Sequence, residues 1–128
     1  MDTRGHILAL KVTPADVQDR DGARLLFARL ENGYGWLKRI WADGGYAGQL
    51  EKEVQAIKRH RKIHLEIVKR SDTAKGFEVL PKRWIVERTF GWLIQSRRLV
   101  RDYEVKTSHS EALIYLSMSK RMLAKMTR

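Results

Sequence analysis

Asp43 and Glu87 are the two acidic residues whose neighbours suggest chemistry. Asp43 follows the strand-like stretch from Trp36 to Ala42, and Gly44 and Gly45 come after it. In open α/β sheets, ligands and catalytic groups collect at the C-terminal ends of strands. Two glycines let the backbone turn sharply there and approach a ligand closely. A carboxylate at such a place can hold Mg²⁺, which prefers hard oxygen donors, and so serve phosphoryl chemistry. Glu87 follows Arg83 by four residues, a spacing that stacks the two on one helix face. Val86, Phe90 and Ile94 surround that face, which is expected to point toward a sheet. A carboxylate leaning inward needs a partner or a metal ion. Taken alone, each acid also fits a plainer role: an Asp in a glycine-rich turn, or an Arg–Glu pair at the surface.

Other candidates carry less. His6, His60, His64 and His109 show no metal-ligand spacing. Asp16, Asp19 and Asp21 read as acids at a helix start. Arg97, Arg98 and Arg101, with Trp92 nearby, fit either a phosphate backbone or a solvated helix end. Trp36, Trp41, Trp84 and Trp92 read as core residues rather than platforms for bases.

The elements that would position these residues follow from periodicity. Gly5–Thr13 is short, apolar and closed by Pro14, so it is expected to be a strand. The turn-like Asp2–Gly5 precedes it. Asp16–Leu30 is expected to be a helix capped by Asp16 or Asp19. A strand over Trp36–Ala42, a helix over Gln49–Arg61 and a strand over Ile63–Val68 come next. Arg70–Val79 reads as a loop. Pro81 suits a helix start, and Lys82–Leu99 has helical spacing. The last helix is expected over Ser110–Met126, with Ser110 as its N-cap. This order is an α/β layout in a single domain, residues 1–128. Helical crossovers between short strands imply some parallel pairing.

Composition narrows the partners. Among 128 residues, Lys and Arg number 26 against 15 Asp and Glu, a net charge of +11. The excess is spread over both halves, with a dense stretch at Lys58–Lys62. A spread excess on a chain that also has core residues suggests a folded domain that meets a polyanion, most commonly nucleic acid. With no cysteine there are no disulfides or thiolate metal sites. The sequence has neither a long apolar run nor a signal-peptide core, which points to a cytoplasmic protein with no membrane partner.

Four segments, in order, resemble transposases of the insertion sequence 5 family: Thr13–Asp19, Ile40-Trp41-Ala42-Asp43-Gly44-Gly45-Tyr46, Trp84–Leu93 and Ser110–Tyr115. The resemblance spans nearly the whole chain. It implies the C-terminal part of a partial RNase H-like (DDE transposase) fold: a short mixed sheet with flanking helices. It also implies metal-dependent cleavage and strand transfer of DNA in a bacterial cytoplasm. Asp43 would be the second catalytic Asp and Glu87 the final Glu, both holding Mg²⁺ or Mn²⁺. Arg83 would be the basic residue one turn before that Glu. Arg83, Arg88, Arg97 and Arg98 would face DNA, at the transposon ends and the target. Relatives often carry a tyrosine and a lysine where this chain has Leu80 and Ile94; Arg97 or Arg98 is the expected replacement for the lysine. The first catalytic Asp of such enzymes lies on the first central strand, which is expected to be missing here, and Asp2, at a turn, is not assigned to that role. On this reading the chain is a truncated or split-frame form, inactive alone, whose partner is the N-terminal part of the transposase or a second copy. The alternative is a non-catalytic basic fragment that binds DNA.

Overall fold

The structure, a computed structural model, describes residues 1–48, 52, 63–68 and 82–127, less the side chains of Arg20, Glu31 and Asn32. The expected helix over Gln49–Arg61, the loop over Arg70–Val79, and Pro81 lie outside the described residues apart from Lys52, which is helical. The chain forms two compact units, Gln18–Pro81 and Met1–Val17 with Lys82–Arg128.

In the first of these units, helix α1 spans Asp19–Gly33 and strands β1 (Arg39–Asp43) and β2 (His64–Val68) follow. The expected parallel pairing is present: Ile40 lies opposite Leu65, and Asp43 opposite Val68. Alternation along the strands decides which side packs. Ile40, Ala42 and Ile67 gather with Phe27 and Tyr46 around the buried Ala23 of α1 and Leu65. The alternate residues pair across the strands. Trp41 Nε1 donates to Glu66 Oε2 at 3.0 Å, and Arg39 lies 3.5 Å from the same oxygen. The N-cap of α1 is Gln18, and no side chain caps it. Asp19, expected as a cap, instead lies with Asp21 in the first turn, where acids suit the helix dipole.

The second unit contains α2 (Arg83–Leu93), a 3₁₀ turn (Arg97–Leu99) and α3 (Thr107–Met126). The long helix expected over Lys82–Leu99 thus stops at Leu93. Its last stretch is a separate turn, joined to α3 by the Ser96 and Ser117 hydroxyls 2.6 Å apart. Helix α3 begins earlier than expected, with Lys106 at its N-cap. Ser110, expected at the N-cap, is a buried residue within the helix, and its hydroxyl donates to Asp102 at 2.9 Å.

Residues 5–13 are the main correction to the expected elements: they form no strand among the described residues. The apolar pattern is real, but α3 side chains occupy the place a neighbouring strand would take. Leu10 N–H donates to the Tyr115 hydroxyl and Val12 N–H to Glu111 Oε1, both at 3.0 Å. Lys11 Nζ adds an ion pair to the same Glu111 oxygen at 2.9 Å.

The turn before this segment is built on Asp2. Its Oδ1 accepts the backbone N–H groups of Arg4 and His6, at 2.9 and 2.8 Å. Gly5 takes φ +86°, and its carbonyl accepts from the Thr89 hydroxyl at 2.8 Å. A Cβ at Gly5 would lie 2.7 Å from Thr89 Oγ1 and 3.0 Å from the Trp92 ring. Gly5→Ala is therefore expected to lose about 1–3 kcal/mol through the left-handed backbone alone, with the clash adding to it; denaturant unfolding checks this. Burial acts to raise the Asp2 pKa, but the His6 N–H, the His6 ring, the Arg4 N–H and the His6 charge outweigh it, and the net shift is downward. A carboxyl with a lowered folded pKa stabilises fully above its unfolded pKa. That contribution is lost as pH falls through the folded value. Thermal melts against pH should show a shallower acid-side decline for Asp2→Asn than for the parent.

Candidate catalytic carboxylates and basic side chains

Asp43 is the last residue of β1, and its position follows from the strand pairing. The chain leaves the strand through the 3₁₀ turn Gly44–Tyr46, whose N-cap is Asp43. Asp43 Oδ1 accepts from Gly45 N–H at 3.0 Å. A Cβ on Gly45 would lie 3.1 Å from that oxygen, so a glycine here keeps room for the carboxylate. Gln18, Asp19, Asp43, Gly45 and Tyr46 line one open depression. The Tyr46 pKa is raised, first by burial and then by the charges of Asp19 and Asp43. Its hydroxyl therefore stays protonated and a hydrogen-bond donor beside two carboxylates. Neither Asp19 nor Tyr46 was singled out for this place in the sequence, although Tyr46 stands three residues after Asp43.

Glu87 lies on α2 with Arg83 Nε 3.1 Å from its Oε1, as the spacing of four requires. The pair is open to solvent, with side-chain exposures of 61% and 64%. The expectation that its face turns inward is corrected. Val86, Phe90 and Ile94 are exposed, and the buried side of α2 is Ile85, Thr89 and Leu93. The cause is the Gly5 turn, which fastens to α2 through Thr89 and so fixes which side is covered.

Asp43 and Glu87 belong to different units. Each offers the hard oxygen donor that a divalent ion takes. Among the described residues, no group of three His, Asp or Glu side chains is placed to hold a metal.

The four arginines expected to face DNA have different surroundings. Arg83 is paired with Glu87. Arg98 is fastened to Glu104 by two hydrogen bonds, from Nε at 2.9 Å and from its terminal nitrogen at 2.6 Å. Arg97 opens the 3₁₀ turn and is exposed. Arg88 stacks against two indoles, with its guanidinium carbon 4.5 Å from the Trp84 ring centre and 4.8 Å from that of Trp92. The tryptophans also depart from the expected core role: Trp36 and Trp84 are 61% and 53% exposed.

No helix among the described residues is long and apolar enough to cross a membrane. Compared with known proteins, residues 1–119 match the family model described as the transposase DDE domain. Comparisons with curated proteins and with solved structures give no match.

The geometry separates structural from chemical roles. Asp43→Asn keeps an acceptor for Gly45 N–H and is expected to leave stability nearly unchanged. Asp43→Ala removes that cap and should cost about 1 kcal/mol. Glu87→Gln breaks only an exposed ion pair and should cost less than about 1 kcal/mol. Urea unfolding of the three variants checks the ranking.

Proposed function

The chain belongs to the transposase DDE domain family, and on that premise we propose that it acts in DNA transposition with Asp43 and Glu87 as catalytic carboxylates. The observation that carries this reading is the position of Asp43: the C-terminal end of a strand in a parallel pair, followed by a glycine turn, within the matched segment. The four-segment resemblance further supports membership of the insertion sequence 5 group.

DNA is the substrate on this reading, at the element's ends and at its target. Asp43 and Glu87 are the residues that would hold Mg²⁺ or Mn²⁺. The ion supplies Lewis-acid stabilisation of charge developing on phosphodiester oxygens. Gly45 N–H fixes the orientation of the Asp43 carboxylate, and Arg83 fixes that of Glu87. Tyr46 adds a neutral donor beside Asp43. Arg97, exposed and with no ion pair among the described residues, is open to contact phosphate.

Two measurements test the assignment. The first is mobilisation in cells of a marker flanked by the element's ends, with the protein expressed from its own gene. Asp43→Asn and Glu87→Gln should each reduce mobilisation to background. The second is Mn²⁺ binding to the purified chain, followed by electron paramagnetic resonance, which both substitutions should weaken. Wild-type behaviour of either variant in both measurements would remove that residue from the site.

A further inference from the structure

The Trp84, Arg88 and Trp92 side chains recur at intervals of four along α2, so they stack along one face of the helix. Arg121 of α3 extends the series, its guanidinium carbon 3.6 Å from the Trp92 ring centre. The result is an alternating ladder of two indoles and two guanidinium groups. We propose that Trp84, the open end of this ladder, stacks an unpaired base of single-stranded DNA, and that Arg88 holds the adjoining phosphate. The proposal rests on the reading that the chain acts on DNA.

Three observations support it. First, the cations of the ladder have no carboxylate partner among the described residues. Arg83, Arg98 and Lys11 each have an acidic partner, whereas Arg88 and Arg121 meet aromatic rings. Arg88 Nε is buried and has no hydrogen-bond partner among the described residues. An indole lowers the desolvation cost of a guanidinium but accepts none of its in-plane hydrogen bonds, which suit a phosphate. Second, the two indoles differ in what they have left to offer. Trp92 already meets two guanidinium groups, with His6 6.5 Å away. Trp84 meets one and is more than half exposed. A ladder serving only to join α2 to α3 would need Trp92 and Arg121 but not an exposed Trp84. Third, the chain carries +11 net charge, which favours an anionic ligand.

Bases within a duplex have their faces covered by their neighbours, so a stacking platform selects the unpaired strand. Glu87 and Arg88 are consecutive residues, about 100° apart around the helix. A base on Trp84 would therefore bind beside the carboxylate assigned to catalysis.

The test is fluorescence-anisotropy binding of the whole chain to a labelled single-stranded oligonucleotide and to the duplex of the same sequence, at one fixed salt concentration. Trp84→Ala should weaken single-strand binding roughly tenfold, within the range contributed by one stacked base, and leave duplex binding within about twofold. Trp84→Leu, which keeps apolar bulk without a π face, should behave like Trp84→Ala. Trp84→Phe should retain most of the affinity. Thermal melts of the variants establish that each is folded. Equal loss on both DNA forms, no loss on either, or full affinity in Trp84→Leu would overturn the stacking proposal while leaving the transposition reading intact. A parent chain that binds neither form would overturn both.

Discussion

Every backbone N–H and carbonyl removed from water must find a partner, and in the unit formed by the first and last parts of the chain the N-terminal segment meets this demand largely with side chains. Asp2 closes the first turn, and the Thr89 hydroxyl donates to the Gly5 carbonyl. Tyr115 and Glu111 then accept N–H groups from a segment with the apolar pattern of a strand. The N-terminal segment thus depends on a few specific side chains rather than on a repeating ladder. Glu111 serves two donors at once, the Val12 N–H and the Lys11 ammonium. In the other unit the same demand is met by the parallel pairing of β1 with β2.

That difference explains which parts of the fold were legible in the sequence. The Arg39–Asp43 and His64–Val68 strands come close to their expected ranges because their pattern and their pairing agree. Gly5–Thr13 has an equally good strand pattern but pairs with no strand among the described residues; periodicity reports which residues are apolar, not what satisfies the backbone. The helices were found by the same periodicity, but their ends moved. Gln18 and Lys106, neither a favoured capping residue, occupy N-caps that acidic or hydroxyl residues were expected to fill. Ser110 was read as a cap because its type suits one, yet its hydroxyl is used by Asp102, eight residues earlier. Contacts of this kind join positions whose proximity the local sequence does not encode.

The same holds for charge. A net charge of +11 identifies a polyanion-binding character, but it does not tell which cations are available. Arg98 looked free at a helix end, but Glu104, brought back by the loop before α3, takes it. Arg88 was expected to face DNA, and two tryptophans flank its guanidinium. The Trp84, Arg88 and Trp92 spacing was visible in the sequence. The reading of Trp84 as core failed because a tryptophan beside an arginine has a second option: its ring can stay at the surface with one face covered by the cation. Arg121, more than twenty residues later, had no local signal.

The acids divide along similar lines, and this division bears on the proposed chemistry. Asp2, Glu66, Asp102, Glu104 and Glu111 are each committed to two or more internal contacts. A metal ion could recruit them only by dismantling the turns and segments they hold. Among the described residues, Asp43 supports a single backbone N–H through one oxygen, and Glu87 pairs with one exposed arginine. Exposed pairs of that kind contribute at most about 1 kcal/mol, so exchanging the arginine for a divalent ion costs little. Asp43 faces a similarly small cost, because an ion can approach the carboxylate while Gly45 N–H remains in place. The two carboxylates singled out by their sequence neighbours are thus among those that the structure leaves inexpensive to use. Their solvent exposure, at odds with the inward orientation expected for Glu87, fits a role in which the ligand supplies the strong contact.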